Sequence, residues 1–367
     1  MLLLVGGYTR PMDDDTPGRA RGLSAYDFAP HDGSLRFRGY VPCVNPSYVI
    51  TDEARKIAYV VRECPAGIQN LENMGGVAGV EAFRIRRTGD GKVHFEQISD
   101  CRIEGDHPCH LALTDDLLIA SVYTSGNVHV FPVAADGTLS RTEQRIPLVG
   151  DGPEPEQDSA HAHCTAIDRR HGFVYLCDLG SDRLRVFDLH SAPTPPHLRP
   201  RPELSLELPP GGGGGPRHIA LTPDGEFAVV NCELVGKAHL LRLTDEGPRL
   251  LHTENYLPER AVDRASGAAV RIDPGGRNVY ISERNFNLVT QLRIDVRAEK
   301  LVFRNTYPSG GEAPREAILS SDGEWLLAAN MKTDSIASFR VGPKGALKHY
   351  RTTTGVPTPT GMAWLDL

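Results

Sequence analysis

The chain has 367 residues, 40% hydrophobic and 24% charged, with 37 glycines, 28 prolines and a formal net charge of −7. This composition has enough apolar material for a core, and glycine and proline between many short apolar runs favour a turn-rich all-β protein over a helical one. The acidic balance, with no long basic run to offset it, argues against nucleic acid as a partner, and no stretch reaches the roughly 18 apolar residues of a membrane span, so no membrane partner is expected.

The first residues, Met1-Leu-Leu-Leu-Val5, are too short for a signal segment and have no basic start, so they read as a β-strand. Residues 2–8, 23–28 and 34–37 form three successive strand candidates. From Pro46 onward one pattern recurs. A proline or small residue leads an apolar strand, an Asp-Gly turn or its substitute follows, and two further strands complete the unit. Copies begin at 46, 108, 162, 216, 268 and 314. The fourth shows the pattern fully, with Pro216-Arg-His-Ile-Ala-Leu-Thr-Pro-Asp-Gly225, then strands at 226–232 and 238–243. The residues after the leading position are Ser47, Cys109, His163, Arg217, Ala268, Arg315 and Thr360, with steps of 62, 54, 54, 51, 47 and 45. These lie near or slightly above the ~40–50 residues of a four-stranded propeller blade.

The fold expected is therefore a seven-bladed β-propeller of four-stranded antiparallel blades, a single domain over residues 1–367. The last stretch, 360–367, holds only an innermost strand, and the first three strands of the chain complete that seventh blade and close the ring. Residues 11–22, 150–160, 191–200 and the Gly-rich run 209–216 fall outside the pattern and read as loops.

In such a blade the start of the first strand and the end of the second lie at one edge, so their side chains gather at one mouth of the channel. The column above and its neighbours His110, His161 and His218 meet there with Arg62-Glu63, Tyr123, Asp178, Glu233, Glu283-Arg284 and 330–332. The opposite edge carries turn residues such as Asp224-Gly225. A funnel bearing Arg62, Arg217, Arg284 and Arg315 suits a carboxylate or phosphate held by paired hydrogen bonds, with His110 and His161 as further substrate-binding candidates. No metal-ligand spacing or cofactor motif occurs, so no cofactor and no metal are expected. The seven cysteines (43, 64, 101, 109, 164, 177 and 232) are scattered, without a C-x-x-C pair. They read as thiols of a cytoplasmic protein rather than a disulfide framework, in a monomer or weak homo-oligomer.

The stretches Ala160-His-Ala-His-Cys164, Cys177-Asp-Leu-Gly-Ser-Asp-Arg183, Gly215-Pro-Arg-His-Ile-Ala-Leu-Thr-Pro-Asp-Gly225 and the Leu-Leu-Val-Gly-Gly-Tyr-Thr start resemble the 6-phosphogluconolactonase β-propellers. The same family includes 3-carboxy-cis,cis-muconate lactonizing enzymes. The resemblance covers nearly the whole chain. It implies hydrolysis of a sugar-acid lactone, 6-phosphogluconolactone or a related aldonolactone, in carbohydrate metabolism such as the pentose phosphate pathway, with a small anionic lactone or sugar acid as partner. By motif, the catalytic His, two Arg and Glu proposed for the muconate branch fall on His163, Arg217, Arg284 and Glu233. His163 or Glu233 would be the base, with Arg217 and Arg284 holding the substrate and its developing charge. A muconate-type cycloisomerase and a non-catalytic binding propeller are the alternatives.

Overall fold

The computed structural model describes residues 1–13, 16–65, 77–190 and 194–367, so parts of the expected loops 11–22 and 191–200 lie outside the described residues. Seven sheets are present, each starting with the strand nearest the axis. Those first strands are Val49–Asp52, Pro108–Leu113, Ala162–Asp168, Pro216–Leu221, Gly267–Ile272, Pro314–Leu319 and Pro359–Leu365, which begin blades one to seven. Each neighbours the first strand of the blade before and after it, and the last neighbours the first. The chain is a seven-bladed β-propeller.

Blade seven is built as the repeat requires. Pro359–Leu365 pairs with Leu2–Gly7, which pairs with Leu23–Ala29 and then Ser34–Val41. Blade three departs from the expected four strands, because two short segments, Leu198–Pro200 and Leu206–Glu207, share its outer position. Residues 150–160 hold a short 3-10 helix at Pro155–Gln157.

The second strands are apolar runs, among them Phe227–Cys232, Asn278–Glu283 and Trp325–Asn330, and all six residues of each are buried. They lack an in–out alternation because both faces of a blade pack on a neighbouring blade. Among the described residues the core is accordingly divided into seven clusters, one per blade junction, with a small eighth of Tyr8, Ala313 and Met331. The clusters of Tyr59, Leu111 and Phe131 (blades one and two), of Tyr175, Ile219 and Val230 (three and four) and of Leu3, Phe28 and Trp325 (six and seven) are examples. The far-edge hairpins repeat one device. Thr222 and Ser320 each donate a hydroxyl to an aspartate two residues on (Asp224, 2.6 Å; Asp322, 2.5 Å), and Gly225 and Gly323 then turn at φ of +68° and +71°.

The junction between blades seven and one buries Leu2, Leu4, Val49, Val60 and Leu365 together. Ending the chain at residue 358 would expose the Leu2–Gly7 edge and open this junction. The expected outcome is loss of cooperative thermal unfolding by circular dichroism and aggregation on size exclusion.

Candidate functional site at the channel mouth

A register shift opens the first strand of nearly every blade. Between Pro108 and His110, Ala162 and Cys164, Pro216 and His218, and Pro314 and Glu316, one residue has no partner on the second strand. Thr360 lies in the same gap in blade seven, and Ala268 with Ala269 in blade five. In blade one, Ser47 sits between the bonds Glu63 N–H to Asn45 O and Val61 N–H to Tyr48 O. The extra residue is a β-bulge, which redirects a side chain out of the alternation of the strand. Cys109, His163, Arg217, Arg315, Ser47 and Thr360 consequently line one cavity of about 10 Å³, the space of a single water molecule.

A second ring comes from the residue just past each second strand. The backbone N–H groups of Glu63, Tyr123, Leu179, Glu233, Arg284 and Met331 donate to the carbonyls of Asn45, His107, His161, Gly215, Ser266 and Ala313. Tyr8 holds this place in blade seven. The Tyr8 hydroxyl donates to Glu63 Oε2 at 3.1 Å, and Arg315 lies 5.4 Å from the centre of the Tyr8 ring.

Arg62 stands one residue earlier than this ring, and one residue reverses the face in a strand. Its guanidinium turns into the blade, bonded to Val77 O, Glu81 (3.2 Å) and Asp100 (2.9 Å). It is not at the mouth, contrary to the expectation. His110 and His161 are also taken up by protein partners. His110 stacks on Tyr48 and accepts from Thr165 N–H at 3.3 Å through Nδ1, with Nε2 3.3 Å from Cys164 Sγ. His161 lies flat on Tyr123, with Nδ1 3.0 Å from Tyr123 O and Nε2 3.2 Å from Asp158. Of the four expected substrate-binding residues only Arg315 lines the cavity.

The four expected catalytic residues form one group. Glu233 accepts from Arg217 Nε at 2.7 Å and from Arg284 Nη2 at 2.6 Å, so the carboxylate is clamped between two guanidiniums. Arg284 also donates to the carbonyls of Ser266 and Gly267. Burial would raise the Glu233 pKa, but Arg284 and Arg217 overcome it and hold the group down to about 2. Burial lowers Arg217 to about 10 against the pull of Glu233, leaving it charged at neutral pH. Burial, then the charges of Arg217 and Arg315, push His163 well below 6.5, so its imidazole is neutral. Burial also opposes the charge of Arg315, but coupling to Tyr8 and to the carboxylates Glu63 and Glu233 raises its pKa overall.

Arg217 Nη1, His163 Nδ1, His218 Nδ1 and Ser47 Oγ are buried without a hydrogen-bond partner, and all four residues line the cavity. Buried polar atoms are nearly always satisfied, so four orphans around one space mark a place that takes a polar ligand. Larger clefts exist at the rim. One of about 860 Å³ between blades six and seven is walled by Tyr26, Phe37 and Tyr40. No buried unpaired polar atom is found among its lining residues.

The segment Asp178–Asp182 fixes the distance between His163 and Arg217. Asp178 accepts from His161 N–H (2.8 Å), Ser181 Oγ (2.6 Å) and Arg185 Nε (2.7 Å), and so holds the chain two residues before His163. Asp182, itself at φ +51°, accepts from Gly213 N–H (2.6 Å), Gly214 N–H (3.0 Å) and Gly215 N–H (2.8 Å), just before Arg217. The run 209–216, expected to be a loop, is thus tied down by a carboxylate cradled in backbone amides. Sequence reasoning missed Tyr8 at the mouth and the buried Arg271–Glu316 pair beneath it (2.7 Å). Counting in the second strands from the end residue plus one would have found Tyr8.

A propeller mouth that gathers arginines and a neutral imidazole in one place has the groups an enzyme site for a small polar molecule needs. Residues 2–364 match the family model "Lactonase, 7-bladed beta-propeller". The chain belongs to this family and is a 6-phosphogluconolactonase-like lactonase. It is 28% identical to the 6-phosphogluconolactonase of Bacillus subtilis over 326 residues, covering 88% of this chain and 87% of that protein. It is 26% identical to the 6-phosphogluconolactonase of Formosa agariphila over 350 residues, 92% of each. The crystal structure of the periplasmic gluconolactonase PpgL of Pseudomonas aeruginosa superposes with a TM-score of 0.88 at 26% identity, covering 99% of this chain and 98% of that one.

Two outcomes follow from this geometry. His110, His129, His163, His218 and His239 all have pKa values lowered by burial in the fold. The unfolded chain therefore binds more protons below pH 6.5, and stability must fall as pH drops, by on the order of 1 kcal/mol per imidazole between pH 7.5 and 5.5. Denaturant titrations at the two pH values measure this. Asp182→Ala frees three glycine N–H groups and should cost about 2–4 kcal/mol in the same assay.

Proposed function

We propose that the protein hydrolyses a sugar-acid lactone, 6-phosphogluconolactone or a related aldonolactone, at this mouth. The observation that carries the reading is the convergence of a buried unpaired Arg217 Nη1 and a buried unpaired His163 Nδ1 on one cavity. The names of the relatives in Bacillus subtilis and Formosa agariphila and of PpgL support it. The cavity, about 10 Å³, is far below the ~300–1,000 Å³ usual for small-molecule sites, so in this reading the lactone ring lies in the open channel above it and reaches it with one polar group.

In this reading His163 takes a proton from a water molecule as that water attacks the lactone carbonyl carbon. Arg217 and Arg315 stabilise the negative charge that develops on the carbonyl oxygen. The ring C–O bond then breaks, the leaving alkoxide receives the proton from His163, and the product is an aldonic acid. A neutral imidazole can act as base at pH 7. Glu233, ionised down to about pH 2 and bonded to both arginines, is a poor proton acceptor. Its role is to orient Arg217 and Arg284. All seven cysteines are free, which fits a reducing compartment. We assign the protein to the cytoplasm on that ground, although PpgL is periplasmic. No helix among the described residues is long and apolar enough to cross a membrane.

The test is lactone hydrolysis in a pH-stat against 6-phosphogluconolactone and glucono-δ-lactone, corrected for the spontaneous rate. Arg217→Ala should lower kcat by about 10²–10³-fold. Because the folded pKa of His163 lies below 6.5, the rate should hold flat from pH 8 down past 6.5 and fall only in more acid solution. An acid limb at or above 6.5 would exclude His163 as base. Consumption of carboxymuconate with no lactone turnover would overturn the hydrolase reading.

A further inference from the structure

Two polar side chains of the cavity have no part in the steps above. Ser47, 4% exposed, is the bulge residue of blade one. Its backbone is fixed at both ends: Ser47 N–H donates to Asn45 O at 2.7 Å, and Ser47 O accepts from Thr360 Oγ1 at 3.0 Å. Its hydroxyl is buried and unpaired. His218, 3% exposed, has a buried unpaired Nδ1. The ring is held by edge contacts with His163 (5.1 Å between centres), His110 (5.6 Å) and Tyr48 (6.4 Å).

We infer that Ser47 and His218 are substrate-binding residues that read the hydroxyl groups of a polyhydroxylated lactone ring and set the specificity of the site. The inference rests on the proposal that this mouth is where lactone hydrolysis occurs. Burial, then the charge of Arg217, lowers the His218 pKa far below 6.5, so the ring is neutral. In either tautomer it offers one donor and one acceptor, and the serine hydroxyl offers both. A sugar hydroxyl also donates and accepts, so it can satisfy this pair completely. A carboxylate or phosphate only accepts, so it meets the unpaired Nδ1 in its N–H tautomer alone. An unsubstituted ring would bury both groups with no partner at all, which is the situation that gives strong discrimination against analogues lacking a hydroxyl. The cavity thus offers Arg217 and Arg315 to the carbonyl under attack and Ser47 and His218 to the ring substituents, with the carboxylates Glu63 and Glu316 also in its lining.

The experiment compares kcat/KM for glucono-δ-lactone with that for δ-valerolactone, which has the same ring size and no hydroxyl. Wild-type protein should prefer the sugar lactone. Ser47→Ala and His218→Asn should each reduce that preference by roughly 10-fold, chiefly through KM. Thermal unfolding of both variants shows that the folded protein is being assayed, and Ser47→Ala keeps the comparison available if His218→Asn folds poorly. Where turnover is slow, calorimetric affinities for gluconate against valerate give the same ratio. A ratio unchanged in both variants, or equal losses on both substrates, would overturn the inference. Arg217→Ala separates this from failure of the underlying reading. If it abolishes both activities while the ratio survives in Ser47→Ala and His218→Asn, only the specificity assignment falls. If it leaves both activities intact, or wild-type protein neither hydrolyses these lactones nor binds gluconate, the site proposal falls with it.

Discussion

One extra residue at the mouth end of each first strand is the constraint on which the site depends. Without it, the positions of Cys109, His163, Arg217 and Arg315 would continue the two-face alternation of their strands and point into a blade junction. The bulge breaks that alternation at the one level where the strands come closest to the axis. The backbone before it is bent to suit. Asn45, His107, Gly215, Ala313 and Thr358 all have positive φ immediately ahead of a proline. Four of these are not glycine, and such residues cost on the order of 1–3 kcal/mol each. Their neighbours hold them there: Asn287 accepts from Ala313 N–H at 2.7 Å, and Asp334 from Thr358 N–H at 2.8 Å. Strain gathered at one edge, and tied down from adjacent blades, is what a preorganised mouth requires.

The seven junction cores provide the stability against which this edge is held. Each is a closed apolar cluster between two blades, and none depends on the charged residues of the channel. The channel groups are a poor way to stabilise a fold. Taking Arg217, Glu233 and Arg284 out of water costs several kcal/mol per ion before their bonds return any of it, and buried pairs commonly do no better than apolar residues of the same size. The unpaired nitrogens of Arg217, His163 and His218 add further cost. An arrangement that stability disfavours and geometry concentrates is evidence of function.

The ring was legible in the sequence because the leading proline and the residue after it recur at nearly constant steps, and the split seventh blade followed from what the two ends of the chain lacked. His163, Arg217 and Arg315 could be placed because the column itself was the repeat, while Glu233 and Arg284 followed from their motifs. Arg62 could not, since a shift of one residue decides whether a side chain meets the channel or the blade, and the adjacent Arg62-Glu63 pair offers both options. Blade one in fact turns Glu63 to the mouth and Arg62 to Glu81 and Asp100. His110 and His161 were misjudged for another reason. Their partners, Cys164, Thr165 and Tyr123, belong to neighbouring blades far away in the chain, and no local pattern announces contacts at that separation. Asp182 is the same problem seen from the other side, because its three bonds cross about thirty residues to the glycine run.

Burial and the cationic field of the mouth also bear on which ionisable group would move a proton in the proposed reaction. The field lowers the pKa of both His163 and Glu233, yet the consequences differ. A carboxylate driven to about 2 has lost nearly all affinity for a proton at pH 7, whereas an imidazole driven below 6.5 has only been kept in its basic form. In the proposed hydrolysis Glu233 is therefore the anchor and the neutral His163 the acceptor. The arginines would then face the oxyanion formed at the carbonyl under attack, whereas addition of a carboxylate across a double bond builds its charge next to carbon, so the two readings ask for positive charge at different atoms.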